Sequence, residues 1–232
     1  MKTRRLELNS IDNARDLGGY PTSANTITKW GLFLRTADLA EITETDIALL
    51  LNYGIRTVID LKMPDETSSP IKNDKRFNYV QIPLFDDYDD MLDISKKYNN
   101  SVYLTIIEAF KPRIKAVFDF IGNHINSGGI LFHCQVGKDR TGIIAMLLLL
   151  LAGVSDIDIL ADYIVSAIYI RPIVKKLNKS YDEIHIYPEE IELIMAEINN
   201  NYNGVENYLI DAGVSPGVIN NIKQNFISGH NG

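Results

Sequence analysis

Leu131-Phe132-His133-Cys134-Gln135-Val136-Gly137-Lys138-Asp139-Arg140-Thr141-Gly142 is the stretch from which the rest of the chain can be read. The apolar run at 129–132 predicts a short buried strand, and the run from Ile143 to Leu151 predicts a helix over about 141–151. Between them lies a tight turn containing Gly137. A strand that turns directly into a helix aims several backbone N–H groups, and the positive end of the helix dipole, at one spot. Cys134, the one cysteine of the chain, sits at the mouth of that turn. Cysteine at a helix N-terminus is favoured as thiolate, because the local field stabilises the anion. Six positions on, Arg140 brings a planar fork of donors that matches two oxygens of a phosphate. A nucleophile, a cradle of N–H groups from Gln135 to Arg140 and an arginine clamp therefore converge on one small tetrahedral anion. These residue types predict phosphoryl transfer through a cysteinyl-phosphate, with the Thr141 hydroxyl donating to the Cys134 sulfur and with no metal or other cofactor required.

The spacing Cys-x5-Arg-Thr after His133, and the fuller string His133 to Gly142, resembles the signature of the cysteine-dependent protein tyrosine phosphatases. It is most similar to the bacterial branch whose loop carries Lys and Asp before the Arg, and which accepts phosphotyrosine and phosphoinositides. Upstream segments agree: Asn13-Ala14-Arg15-Asp16-Leu17-Gly18-Gly19-Tyr20, Leu34-Arg35-Thr36-Ala37-Asp38-Leu39, and Thr57-Val58-Ile59-Asp60-Leu61-Lys62 followed by Glu66. Lys62 departs from the pattern, since that family usually has Arg there and Lys cannot reproduce a bidentate contact. The resemblance implies an α/β fold with a central, mostly parallel sheet flanked by helices. It also implies one catalytic domain over 1–232, with a helical cap or lid from segments around 86–125 and 156–203. The substrate it implies is a phosphorylated protein or a phosphoinositide. Cys134, Arg140, Asp139 and Thr141 would be catalytic, and His133, Gln135, Val136, Gly137 and Lys138 would bind the phosphate.

The proton donor to the leaving group is the least determined position. The superfamily's usual donor lies in a Trp-Pro-Asp loop, and the single tryptophan here, Trp30, has no such context. Asp139, inside the loop as in the relatives bearing Lys and Asp, is the first choice, and Asp86 or Asp87 is the alternative. The acid run at 86–90 otherwise reads as a solvated loop that caps the next helix. Lys138 either binds an additional phosphate, which would favour phosphoinositides, or is an exposed side chain that strengthens the local positive field. Arg15 and Arg35 are either further phosphate contacts or, the preferred reading, ion-pair partners of Asp16 and Asp38. Asp60, at a predicted strand end, either orients Arg140 or caps a loop, and His133 either orients the signature loop or tunes its charge.

With 232 residues, 46% apolar and 23% charged, the composition is that of a globular protein with a substantial core. A net charge of −7 leaves no broad basic surface, so nucleic acid is not expected as a partner. A single cysteine fits a reducing compartment. The basic start at 1–5 is followed by no apolar core, and the longest apolar run, 143–154, is too short to span a bilayer. A cytoplasmic location without stable membrane insertion is the expectation; oligomeric state is not indicated. A nucleotide P-loop does not fit, because Asp139 follows Lys138 and Phe132 stands where the earlier glycine belongs. Two competing functions stay open: a rhodanese-type sulfurtransferase, against which the Arg140-Thr141 spacing argues, and an inactive phosphate-binding module.

Elsewhere, Thr43-Glu44-Thr45-Asp46 resembles a capping box opening a helix that Gly54 ends. Strands are predicted at 30–36, 56–61 and 79–84, with a polar loop at 64–75 and a turn-rich segment at 13–20. Helical period at 101–125 is kinked or split by Pro112. Ser155 caps a helix over 156–167, a basic segment covers 171–179, and Pro188 opens a helix to about 198. A loop at 199–204 and helices at 205–212 and 215–226 complete the reading.

Overall fold

The computed structural model describes residues 2–66, 68–176 and 186–228. The first half supplies most of the sheet. Strand β1 (Arg15–Asp16) lies within the turn-rich segment at 13–20, followed by β2 (Ile27–Thr28) and β3 (Phe33–Thr36). Helix α1 (Glu44–Tyr53) starts where Thr43 accepts a hydrogen bond from the Asp46 N–H, and it stops where Gly54 takes the left-handed conformation at φ 99°. Strands β4 (Ile55–Asp60) and β5 (Asn78–Gln81) follow. The strand expected over 79–84 ends early because Pro83 cannot donate to a ladder. Helix α2 (Tyr88–Ser95) is capped by Asp87, and Pro112 makes two helices of the next segment, α3 (Val102–Ala109) and α4 (Lys111–His124). Proline costs little in a first turn, where its missing N–H has no partner to lose.

Strand β6 (Gly129–His133) then enters the middle of the sheet, whose order is β1-β3-β6-β4-β5. Only β1 runs antiparallel to its neighbour, so the sheet is mostly parallel, as expected from the resemblance. Every residue of β6 is buried, which suits its nearly continuous apolar run. Its side chains divide by alternation: Ile130 and Phe132 join the larger core, while Leu131 joins Leu34, Val58 and α1 residues Ile47 and Leu50 on the other face.

The larger core is roofed by helices. These are α5 (Asp139–Leu151), α6 (Asp156–Tyr169), α7 (Arg171–Lys176), α8 (Pro188–Tyr202), α9 (Val205–Asp211) and α10 (Pro216–Phe226). Residues 177–179 of the basic segment lie outside the described residues. Helix α8 continues to Tyr202, into the loop expected at 199–204, because Tyr202 packs edge-on against Tyr208, 5.2 Å between ring centres, and accepts a 2.6 Å hydrogen bond from Lys111 Nζ. Tertiary contacts there override the weak helix propensity of three asparagines. The last strand, β7 (Ile227–Ser228), pairs antiparallel with β2, and no sequence pattern announced either one. Among the described residues, no helix is long and apolar enough to cross a membrane.

Candidate active site

β6 delivers His133 to the C-terminal edge of the sheet, and Cys134 is the next residue. The loop that follows is held from outside by its carbonyl oxygens. The Asp38 N–H donates to Gln135 O at 3.1 Å, Asn13 Nδ2 to Val136 O at 3.1 Å and Gly137 O at 3.0 Å, and Arg35 Nη2 to Gly137 O at 2.8 Å. A trans peptide sets its N–H opposite its C=O. Pinning these three carbonyls outward therefore turns the N–H groups of Val136, Gly137 and Lys138 inward. Among the described residues, none of those three N–H groups meets an acceptor. Gly137 sits at φ 71°, and a Cβ there would lie 2.3 Å from Thr36 O. Only glycine lets the loop press this closely on the end of β3.

Cys134 and Arg140 line one cavity of about 610 Å³. The sulfur-bearing residue is buried at 2% exposure, and it opens into this cavity beside Gln135, Val136, Lys138 and Asp139. Arg140 is clamped by Glu66: Nη1 donates to Oε2 at 2.5 Å and Nη2 to Oε1 at 2.9 Å. A turn after β4 presents Glu66, whose Oε2 also accepts from the Met63 N–H at 2.7 Å. Burial opposes the charge of both partners, yet the pairing prevails and shifts the Glu66 carboxyl below its usual range and the Arg140 guanidinium above its own. Phe85 lies against the guanidinium, 5.4 Å from ring centre to Cζ.

Lys138 and Asp139 form a second pair, with Nζ 2.5 Å from Oδ1, and Tyr103 Oη donates to the same Oδ1. The lysine is buried at 4% exposure and lies over the Tyr187 ring. It is therefore not an exposed side chain; it lines the cavity and is paired with Asp139. Burial works against its charge, and Asp139, with Tyr163 and Cys134, more than restores it. The alternative acids are placed elsewhere: Asp86 accepts from Arg113, and Asp87 accepts from the N–H groups of Asp89 at 2.8 Å and Asp90 at 3.0 Å at the start of α2.

Residues 6–228 match the model of the tyrosine phosphatase family. This chain belongs to that family. A tyrosine-protein phosphatase of Nostoc commune is 33% identical over 216 residues, covering 82% of this chain and 72% of the relative. A putative tyrosine-protein phosphatase of Cupriavidus necator is 31% identical over 170 residues, covering 69% of this chain and 62% of its own. Among solved structures, P. aeruginosa TpbA matches at 16% identity and TM-score 0.38, covering 74% of this chain and 90% of TpbA. Its complex with phosphotyrosine matches at 16% and 0.39, covering 78% and 95%.

Several expected partnerships in this tyrosine phosphatase family member are different in the structure. Arg15 and Arg35 do not pair with Asp16 and Asp38, nor do they reach the cavity. Both converge on Asp162 of α6, at 2.8 Å from Arg15 Nε and 2.5 Å from Arg35 Nη1, and all three are buried. Asp16 instead accepts from Tyr53 Oη and the Gly18 and Gly31 N–H groups, while Asp38 binds Lys62 Nζ at 2.6 Å. Lys62 is fully buried there, so the position is an internal ion pair. Asp60 does not orient Arg140, because Glu66 takes that place. Asp60 caps its own loop by accepting from the Lys62 N–H at 2.9 Å, and it also accepts from Tyr79 Oη at 2.9 Å. His133 lies with Nε2 3.8 Å from Asp60 Oδ2 and Nδ1 3.4 Å from Cys134 O, and burial lowers its proton affinity. The Thr141 hydroxyl is buried and makes no hydrogen bond among the described residues, the Cys134 sulfur included. Glu66, Tyr103 and Asp162 escaped the sequence reading. Glu66 alone left a trace, as the acid that follows the Asp60-Leu61-Lys62 segment.

Proposed function

We propose that the protein hydrolyses phosphotyrosine through a cysteinyl-phosphate intermediate. The observation that carries this reading is that Cys134 and Arg140 share one cavity at a loop whose N–H groups are turned inward. In the first step the Cys134 thiolate attacks phosphorus, the Sγ–P bond forms and the P–O ester bond breaks. The ester oxygen keeps the electron pair and takes a proton from Asp139, which becomes carboxylate. In the second step water attacks phosphorus and gives its proton back to Asp139. The Sγ–P bond breaks with thiolate leaving, favoured by the field of the inward-facing loop N–H groups at the start of α5. Arg140 and the loop N–H groups hold the equatorial oxygens throughout.

The cavity wall favours an aryl ester. Phe85, Tyr88, Met91 and Leu92 form an apolar side beside the cradle, and we read α2, α3 and the start of α8 as the cap over it. Lys138, the cation that would take a further phosphate of an inositol ring, is already bound to Asp139. The apolar wall is thus the feature that favours phosphotyrosine over a phosphoinositide.

Phosphate release should be measured for the parent and for Cys134→Ser on an aryl phosphate, a phosphotyrosine peptide, a phosphoserine peptide and a phosphoinositide. We expect turnover of the first two in the parent and none in the variant. A parent that releases no phosphate but forms persulfide from thiosulfate would replace this reading with sulfur transfer. A parent that does neither, yet binds phosphate, would leave a binding module.

A further inference from the structure

The reaction just described uses neither Tyr103, which lines the cavity, nor Tyr163, which stands behind it on a different helix. Tyr103, on α3, is buried at 4% exposure and donates to Asp139 Oδ1. Its oxygen lies 2.6 Å from Tyr163 Oη on α6, and the Tyr187 N–H donates to Tyr163 Oη at 3.4 Å. Gly142 of the signature makes room for this, because a Cβ there would come within 3.2 Å of the Tyr163 ring.

Proton counting gives the chain a direction. Each phenol owns one proton. Tyr103 spends its proton on Asp139, so the proton between the two phenols belongs to Tyr163. The order is Tyr163 to Tyr103 to Asp139. Lys138 donates to the same Oδ1, so that oxygen is occupied twice. The transferable proton of Asp139 is then carried on Oδ2. Burial, reinforced by Asp139, pushes the Tyr103 phenol well above its usual range, so it remains a donor wherever the enzyme works.

We propose that Tyr103, braced by Tyr163, is a positioning residue for proton donation by Asp139: it fixes Oδ1 and so presents Oδ2 to the leaving-group oxygen. This rests on Asp139 being the general acid. Fixing one oxygen matters because proton transfer requires the carboxyl within hydrogen-bond reach of the ester oxygen, in one rotamer.

The test is dependence on the leaving group. An ester with a poor leaving group needs its proton, and one with a good leaving group scarcely does. For Tyr103→Phe we expect kcat to fall about tenfold more on phenyl phosphate than on p-nitrophenyl phosphate, with KM nearly constant. Equal losses on the two esters would mean a merely structural role and would overturn the proposal. Asp139→Asn, measured in parallel, separates the two readings. If it too lowers both esters equally, the acid assignment fails and the Tyr103 proposal with it. If Asp139→Asn discriminates and Tyr103→Phe does not, only the Tyr103 proposal fails. Tyr163→Phe leaves the Tyr103–Asp139 bond in place and should shift the ratio the same way by less; no shift would remove Tyr163 from the scheme. Should Tyr103→Phe not fold, Tyr103→Leu, which also lacks the hydroxyl, is measured on the same two esters with the same outcomes.

Discussion

Arg140 and Glu66 meet through two hydrogen bonds across 74 residues of sequence. A guanidinium that must grip a phosphate in one plane gains from a carboxylate that holds its far edge, because the rotamer entropy is lost before substrate arrives. Glu66→Gln keeps the volume and removes the charge and one acceptor oxygen. We expect kcat/KM on an aryl phosphate to fall by roughly tenfold, the weight of about 1.5 kcal/mol for a charged hydrogen bond. A rise in kcat/KM would instead show Glu66 competing with substrate for Arg140. At this scale the sequence was legible where chemistry is contiguous: Cys134, Asp139, Arg140 and Thr141 fall within eight positions and define one another. Tyr103 and Asp162 were not legible, and Glu66 was visible only as part of the pattern and not as the partner of Arg140, since a single carboxylate or phenol on an ordinary element carries no sign of the partner it will face.

At the scale of elements, the connection from β6 to α5 shows how a loop is fixed without touching what it binds. Asn13, Arg35 and Asp38 take its outward carbonyls, and Gly137 lets it lie against Thr36. Gly137→Ala therefore meets two penalties, the left-handed conformation and the clash with Thr36 O. Gly54→Ala at the end of α1 meets only the first, since nothing lies within 4 Å of its added carbon. Left-handed backbone costs an L-residue about 1–2 kcal/mol. Thermal unfolding should show a larger loss of stability for Gly137→Ala than for Gly54→Ala, and loss of phosphate binding only in the former. Comparable losses would mean that β3 yields to the added methyl. Elements whose boundaries rest on local chemistry were readable in advance: the Thr43 and Ser155 caps, Gly54, and the break at Pro112. β1, β2 and β7 were not, because a two-residue strand has no periodicity and exists only through its distant partner.

Across the whole molecule, Asp162 joins β1, β3 and α6 through Arg15 and Arg35, and Arg35 in turn holds Gly137 O. Burial pushes the Asp162 carboxyl upward, but the two guanidinium groups prevail and bring it from 3.8 to about 2. A group held below its unfolded value stabilises the fold fully above that value. On acidification the unfolded chain takes the proton first, so this contribution is lost as pH falls from about 4 to about 2. Denaturant unfolding at neutral pH should show Asp162→Asn less stable by about 3 kcal/mol or more, since two buried guanidinium groups lose their counter-charge. The gap between parent and variant should close through the acid window; a gap that persists at about pH 2 would assign the loss to packing.

The second, smaller sheet links residues far apart in the chain. Ile227 and Ser228 pair with Thr28 and Ile27, Phe226 O accepts from the Lys29 N–H, and the Phe226 ring stands edge-on against Phe33 of β3. During synthesis, β2 and the outer side of Phe33 thus wait uncovered until residue 228 has left the ribosome. Contacts this far apart in the chain form slowly and leave apolar surface open to other chains until they are made, so this edge of the molecule cannot close without residues 226–228.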